Sequence, residues 1–358
     1  TQVAWVRTWM DADQNAYRAH ICVTDVADGT TRQLTDGPGQ DTHPRWSPDG
    51  AALAYLASPG PQTQADSDAP RSQVSVIGGG SQLMLIGAAG GVAQPLTNLL
   101  GGVRAPVWSP DGRRIAFLTY VDPAKGLEFL DDAPAADDDP FVKFNRDVLV
   151  VKRLRWKWDN IGYFGDYTSQ VVWVEAADAQ ANAMPAPTLL TRGEFDLSAP
   201  VWSPDGRTLA VTGNLDPDGE AVRSSYIYLL DVDGKAPVTP RTLFGLQEMR
   251  SSDLAWSPDG AWLAVCGHDD PVIGHYGNQM LWLVSVADGS AECVTREFDR
   301  VLGDYSRNYD LRRSGADDSP RWLPDGQRLY VLVYEGGSVE LGVVDRNSGA
   351  VTQLSAGR

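Results

Sequence analysis

The sequence predicts an all-β chain folded as a β-propeller of four-stranded antiparallel blades, and three observations support this. A Trp-Ser-Pro-Asp-Gly motif recurs five times along 358 residues, once with leucine in place of the serine. Each copy is followed by a short apolar run of strand length. A second hairpin pattern, which closes on Leu-Thr or a near relative, recurs six times. Sheets repeated radially around an axis form a propeller, which protects all but short strand edges.

The recurring motif predicts the turn between the first and second strands of each blade. Proline presets φ at the second turn position, aspartate tolerates the third, and glycine takes the left-handed conformation that lets two strands pair. The copies are residues 46–50, 108–112, 202–206, 256–260 and 322–326, and the strands after them are 53–56, 115–118, 209–211, 263–265 and 329–332. We expect the tryptophans to pack between neighbouring blades, each contributing about 2–3 kcal/mol by buried area.

The second hairpin predicts the third and fourth strands. Its closing pairs are Leu34-Thr35, Leu96-Thr97, Leu190-Thr191, Leu243-Phe244, Val294-Thr295 and Leu354-Ser355. Six repeats are therefore visible.

The start of the chain falls inside a hairpin. Residues 3–6 resemble the strand that follows a Ser-Pro-Asp-Gly turn, but that turn and the strand before it would precede Thr1. We expect residues 1–358 to be one propeller domain whose first blade is incomplete at its N-terminus, and the chain to be a fragment.

Charge and composition exclude several classes of protein. The formal charge of −17 argues against binding to nucleic acid or anionic membranes, which need a positive surface. No apolar run approaches the roughly 20 residues of a membrane span. The three cysteines, Cys22, Cys266 and Cys293, are far apart and odd in number, so we interpret them as small buried hydrophobic residues of a cytoplasmic protein.

Two groups of residues are of the types that bind metal ions. Residues 131–139 contain five aspartates, but their spacing matches no EF-hand loop. His268, Asp269, Asp270 and His275 are ligand types, yet histidines beside exposed acids are common in loops. We predict neither a metal site nor a cofactor.

The long insertions all fall on connections at one end of the blades. They are residues 58–81, 121–169, 214–225, 267–278 and 296–319. Such a decorated end favours contact with a ligand, a partner or another domain, whereas the alternative is drift of unconstrained surface loops.

One insertion carries a cationic stripe in this acidic chain. Three apolar residues alternate with three basic ones along a predicted strand: Leu154, Trp156 and Trp158 with Arg153, Arg155 and Lys157. Two interpretations remain open. The basic residues either answer neighbouring acids on a surface strand, or they bind a carboxylate, such as a peptide C-terminus, or an acidic surface of another domain. Arg155, at the centre of the run, is the strongest single candidate for substrate binding or a domain interface.

Several segments resemble the propeller of the acylaminoacyl-peptidase branch of the prolyl oligopeptidase family. They are residues 150–164, which contain the stripe, residues 193–206, the run from 267–270 through 281–282 to 298–300, residues 310–312 and residues 322–326. The likeness covers most of the chain. Two departures, Asn160 for a usual glycine and Leu323 for serine, do not threaten the fold.

The resemblance implies a seven-bladed propeller followed by an α/β-hydrolase domain with a serine, aspartate and histidine triad. The propeller then limits access to acylated or short peptides. This chain has no Gly-x-Ser-x-Gly elbow and no histidine after His275, so it carries no catalytic triad. The implied partners are the protein's own C-terminal hydrolase domain, absent here, small peptides and a further copy of the chain.

The competing hypothesis is a TolB-like propeller that acts as a non-enzymatic protein-interaction module. Six repeats favour it. The uneven steps between successive motifs, 62, 94, 54 and 66 residues, speak against it.

Overall fold

The computed structural model describes most of the chain. The described residues are 1–58, 80–127, 153–154, 156–158, 162–163, 166–176, 184–198, 200–222, 224–233, 236–249, 254–272, 277–304 and 319–356. They contain no α-helix and form strands β1 to β27. The chain divides into two compact units, one of Thr1–Trp108 with Gly112–Asp196 and one of Ser109–Asp111 with Leu197–Arg358.

The first unit contains three antiparallel sheets, named blades 1 to 3. Blade 1 consists of β1 (Gln2–Asp11), β2 (Ala16–Asp25) and β3 (Thr31–Gln33). Blade 2 consists of β4 (Asp41–Trp46), β5 (Ala52–Ala57), β6 (Gln82–Gly87) and β7 (Gln94–Pro95). Blade 3 consists of β8 (Arg104–Trp108), β9 (Arg114–Val121), β12 (Thr168–Glu175) and β13 (Thr188–Leu189), with the hairpin β10 (Lys157–Trp158) and β11 (Gly162–Tyr163) inserted between β9 and β12.

The second unit contains blades 4 to 6. Blade 4 consists of β14 (Val201–Trp202), β15 (Thr208–Gly213), β16 (Ser225–Asp231) and β17 (Arg241–Leu246). Blade 5 consists of β18 (Glu248–Met249), β19 (Ala255–Trp256), β20 (Trp262–His268), β21 (Met280–Ser285) and β22 (Ala291–Cys293). Blade 6 consists of β23 (Val301–Leu302), β24 (Arg321–Trp322), β25 (Arg328–Glu335), β26 (Ser338–Asp345) and β27 (Val351–Gln353). In blades 5 and 6 two short pieces pair with the same second strand and together form the first strand.

The predicted fold class, an all-β propeller of four-stranded antiparallel blades with six repeats, is confirmed. Each sheet follows the chain strand by strand, and every strand pairing in the blades is antiparallel. The five long segments also fall on the connections that the sequence predicted. Four of them join the second strand of a blade to its third, and the fifth, which contains β23, follows blade 5.

The Ser-Pro-Asp-Gly turns have one geometry because the same side chains complete them. In blade 2 the Ser47 hydroxyl donates to Asp49 at 2.6 Å and accepts from the Ala52 amide at 3.0 Å. Gly50 adopts φ 71° and donates to the Ser47 carbonyl at 2.9 Å. In blade 6, where Leu323 replaces the serine, Asp325 instead accepts from the Arg328 guanidinium at 2.8 Å.

The Leu-Thr pairs close the blades through a hydroxyl. In blade 3 the Leu190 amide donates to the Val171 carbonyl at 2.9 Å, and the Val171 amide donates to the Thr191 hydroxyl at 3.0 Å. The same pair of bonds recurs in blades 1, 2, 5 and 6, with Thr35, Thr97, Thr295 and Ser355 as the acceptors. A hydroxyl therefore satisfies a backbone donor after the regular strand pairing has ended.

The core lies between neighbouring blades, as predicted for the motif tryptophans. Buried side chains of blades 2 and 3, such as Leu83, Phe117 and Val172, form one cluster against which Trp108 packs. The Trp108 indole also donates to the carbonyl of Arg45 in the preceding blade at 3.0 Å. Equivalent bonds join Trp256 to Val201 at 3.2 Å and Trp322 to Ala255 at 3.1 Å.

The three cysteines are free thiols that lie in strands of blades 1 and 5. Cys22 and Cys266 are buried, Cys293 is half-buried, and none of these three described residues forms a disulfide. Burial raises the pKa of the Cys22 thiol. Among the described residues, no helix has the length and apolar character needed to cross a membrane.

Candidate functional site

The cationic stripe lies in the insertion of blade 3, at the base of the β10–β11 hairpin. Lys157 pairs with Tyr163 and Trp158 with Gly162, whereas residues 153–154 form a bend. Regular strand in the described part of the stripe is therefore limited to Lys157–Trp158. Of Lys157 only the backbone is described, and Arg155 lies outside the described residues.

Arg153 is held by groups of its own chain. One guanidinium nitrogen, Nη1, donates to the Tyr167 carbonyl at 2.6 Å, and Nη2 forms an ion pair with Asp196. The Arg153 side chain is only 15% exposed. Because both terminal nitrogens have protein partners, Arg153 acts as an anchor between the insertion and the segment that follows β13.

Asp196 joins that anchor to blade 3. Its second carboxylate oxygen accepts the Ser169 amide at 2.7 Å, at the start of β12. The Ser169 hydroxyl accepts from Arg104 Nη2 at 3.0 Å. Arg153 and Arg104 are thus both linked to the start of β12. Arg153 is linked through the Asp196 carboxylate, and Arg104 through the Ser169 hydroxyl. We call Arg104, Tyr120, Arg153, Ser169 and Asp196 the arginine cluster.

Tyr120 supplies the aromatic wall of the cluster. The Arg104 guanidinium carbon lies 4.1 Å from the centroid of the Tyr120 ring, within the range of a cation–π contact. Burial raises the pKa of Tyr120, and this effect exceeds the opposing influence of Arg104. The phenol is therefore neutral at physiological pH, and the carboxylate of the cluster is Asp196, which pairs with Arg153.

Two apolar residues of the stripe, Leu154 and Trp156, are exposed. Leu154 is 68% exposed and Trp156 is 40% exposed, while Arg153 between the insertion and the blade is largely covered. Leu154 and Trp156 therefore form an exposed apolar surface next to Arg153, whose guanidinium group is bound to Asp196.

The sequence pointed to part of this cluster only. Arg153 was predicted, and Asp196 lies within residues 193–206, one of the segments that carry the family resemblance. Arg104 and Tyr120 were missed. Arg104 precedes a bulge between Arg104 and Val107 in β8, and no local pattern marks such a position.

The weighed metal residues take other roles where they are described. Asp269 pairs with Arg296 at 2.9 Å, and that hydrogen bond lowers the pKa of Asp269. Asp270 accepts the Val272 amide at 2.7 Å. Among the described residues, no three His, Cys, Asp or Glu side chains are grouped to hold a metal ion. Residues 131–139 and His275 lie outside the described part of the chain.

A family model and several solved structures are similar to this chain. Residues 9–123 match the model of the dipeptidyl peptidase IV (DPP IV) N-terminal region. The acylaminoacyl peptidase of Pyrococcus horikoshii superposes with a TM-score of 0.60 and 17% identity, over 99% of this chain and 44% of that chain. TolB from Acinetobacter baumannii superposes with a TM-score of 0.52 and 14% identity, over 98% of this chain and 62% of that chain. At these identities the structural likeness shows the fold alone.

One curated relative matches most of the chain in sequence. The uncharacterized peptidase YuxL of Bacillus subtilis (strain 168) is 29% identical over 338 residues, which is 94% of this chain and 46% of YuxL. The chain spans about half the length of this relative. The chain is similar to the propellers of peptidase-family proteins, and the predicted resemblance to prolyl oligopeptidase-type propellers is confirmed.

Proposed function

We propose that this chain is the accessory propeller of a cytoplasmic serine peptidase that hydrolyses acylated or short peptides. In this role it docks on an α/β-hydrolase domain and limits which substrates reach the catalytic serine. The observation that carries the proposal is the 29% identity to a peptidase across 94% of the chain. The fold alone would not distinguish this function from that of a TolB-like module, because both kinds of protein share it.

The proposed docking element consists of the β10–β11 hairpin and the preceding residues 153–156, and we call it the docking hairpin. Leu154 and Trp156 offer exposed apolar area, and aromatic residues are enriched at the centres of interfaces. The Arg153–Asp196 ion pair holds the base of the hairpin, which lowers the entropy that docking would otherwise cost. A surface so anchored suits a domain interface better than a loop that orders only on contact.

Arg155 and Lys157 remain proposed contacts to carboxylates. Because Arg153 already pairs with Asp196, we propose that the other two cations of the stripe bind a peptide C-terminus or acidic residues of the hydrolase domain. Contact with a second copy of the chain is the further role proposed for this end of the blades.

The test uses the complete product of the gene that encodes this chain. We expect it to react with a fluorophosphonate probe, to release nitroaniline from acetylated amino-acid and short-peptide anilides, and to leave folded proteins intact. A gene product that neither reacts with the probe nor cleaves the anilides would contradict the peptidase assignment and favour a binding module.

Substitutions in the hairpin test the docking role separately. Leu154→Ser with Trp156→Ser should keep hydrolysis of small anilides and add cleavage of longer unfolded chains such as reduced casein, because the interface opens. Val92, which is 91% exposed and lies outside the hairpin, gives a matched control, Val92→Ser. If the size limit is the same in both variants, the hairpin is not the docking element.

A further inference from the structure

The first blade has an open edge. In blade 1, β1 pairs with β2 on one side, and no described residue pairs with its other side. Unpaired edges expose a row of backbone donors and acceptors, which is the usual template for strand addition. β1 is ten residues long, so the edge is substantial.

The register of the blades shows which position of β1 matches which position of a complete blade. Leu34 donates to the Ile21 carbonyl in blade 1 as Leu96 donates to the Leu83 carbonyl in blade 2, which aligns β2 with β6. Ala4 pairs with Val23, and Ala54 pairs with Leu85 at the equivalent position. Val3, Ala4 and Trp5 therefore correspond to Leu53, Ala54 and Tyr55.

The exposed side chains of β1 agree with an edge that no described strand covers. Val3 is 50% exposed and Trp5 is 39% exposed, while Leu53 and Tyr55 are 0% and 4% exposed. In blade 2 the first strand, β4, covers this position, since Trp46 lies opposite Leu53. Blade 1 thus holds the second, third and fourth strands of a blade, with the place of the first strand open.

A buried donor in the next blade points at the same place. Trp46 Nε1 is buried and has no hydrogen-bond partner among the described residues. Three other motif tryptophans donate to a carbonyl on the first strand of the preceding blade. Their acceptors, Arg45, Val201 and Ala255, each lie opposite an alanine of the second strand, namely Ala54, Ala210 and Ala264. By this rule, the acceptor for Trp46 lies opposite Ala4.

We propose that the β1 edge binds an extended strand that runs antiparallel to it. The carbonyl of the residue opposite Ala4 accepts the Trp46 indole N–H, and a bulky apolar residue lies opposite Val3. The occupant is a segment with the chemistry of the chain's own first strands, an apolar residue followed by Trp-Ser-Pro-Asp-Gly. That pattern provides both the carbonyl and the large side chain in the correct order, as Val201 and Trp202 of β14 do in blade 4.

The test is binding of a synthetic peptide to the chain. The probe is an acetylated peptide with the sequence of residues 104–112, Arg-Ala-Pro-Val-Trp-Ser-Pro-Asp-Gly. We expect saturable binding by calorimetry and slowed hydrogen exchange in β1, but not in β7 or β27, which end other sheets. A peptide with the same side chains and N-methyl groups on alternate amides should not bind, since the ladder bonds are lost.

A pair of matched variants tests the acceptor. Trp46→Phe should weaken binding about fivefold, the usual effect of one lost hydrogen bond. Trp108→Phe should leave it unchanged, because the Trp108 indole already donates to Arg45 within the chain. The proposal would be overturned by equal affinities of the two variants for the peptide, or by equal binding of the N-methylated peptide. It would also be overturned if dimerisation without peptide protected β1 from exchange.

Discussion

Single residues in this chain act through their place in the repeat. In three blades, one residue of the third strand binds the segment after the fourth strand, and it is the residue just before the one bonded to the Leu-Thr pair. Gln82 bonds both backbone groups of Leu99, at 2.8 and 2.9 Å, and Gln170 donates to the Phe195 carbonyl at 2.6 Å. In blade 1 the same place is taken by His20, whose Nε2 lies 3.0 Å from the Gly37 carbonyl oxygen. One position thus repeats a function with different side chains.

His43 should make stability depend on pH. Burial, with a smaller contribution from Arg45, lowers its pKa from 6.5 to about 4. Between these values the unfolded chain binds more protons than the folded chain. The free energy of unfolding should therefore fall as pH falls from 6.5 towards 4, by up to about 1.4 kcal/mol per pH unit. Asp41, whose pKa is raised by burial, acts in the opposite sense.

The contribution of His43 can be isolated by comparison with His43→Asn. Asparagine tolerates the left-handed backbone at this position, where φ is 53°, and it does not titrate. Urea unfolding of both proteins at pH 7.5, 6 and 5 should show the chain losing stability faster than the variant. Parallel pH profiles would contradict the effect.

At the scale of the element, the turn between the third and fourth strands shows how blades contact each other. Gly29, Gly289 and Gly349 occupy the same turn position with φ of 73°, 73° and 68°. A Cβ on Gly349 would lie 1.8 Å from the Val294 carbonyl oxygen, and one on Gly289 would lie 2.3 Å from that of Leu243. A Cβ on Gly29 would meet nothing within 4 Å. The turn therefore packs on the preceding blade in two of these three cases.

Alanine substitutions should separate backbone strain from this contact. Gly29→Ala should cost about 1 kcal/mol, because the left-handed conformation is strained for alanine. Gly349→Ala should cost roughly 2–4 kcal/mol, because the turn must also move away from Val294. Denaturant unfolding measures both. Similar losses in the two variants would mean that the turn yields without disturbing blade 5.

At the scale of the whole molecule, a long insertion is fastened to a repeating scaffold by a few polar bonds. Arg153 and Asp196 are 43 residues apart, and their ion pair links the segment before the β10–β11 hairpin to the segment after β13. Because Arg153 is largely covered, the pair is better shielded from solvent than an ordinary surface salt bridge. It fastens the insertion to blade 3 by a bond between two side chains.

A double-mutant cycle should reveal the coupling of this pair. Arg153→Ala and Asp196→Ala should each destabilise the chain, and the double variant should be less destabilised than the sum by about 1–3 kcal/mol. The matched control is Arg296 with Asp269, a more exposed pair whose coupling should stay below about 1 kcal/mol. Additive effects at Arg153 and Asp196 would show that the anchor depends on other contacts.

The sequence by itself determined the blades. The Ser-Pro-Asp-Gly turns and the Leu-Thr pairs rely on backbone preferences and side-chain bonds that close within a few residues or one hairpin, as Ser47 and Thr191 show. Such local patterns can be recognised in the sequence, and they explain why the fold class and the strand positions could be predicted. They also marked the insertion of blade 3 and its cation Arg153.

Only the tertiary structure decided what these parts contact. The partner of Arg153, the cover of Tyr120 by Arg104 and the exposure of Leu154 depend on packing between segments far apart in sequence. The same holds for the Trp46 indole N–H, because only the folded structure shows that it is buried without a hydrogen-bond partner among the described residues. The alternation of apolar residues and the chemistry of the turns specify where a strand lies. The direction of a long side chain depends instead on the charge or apolar surface that the fold places beside it.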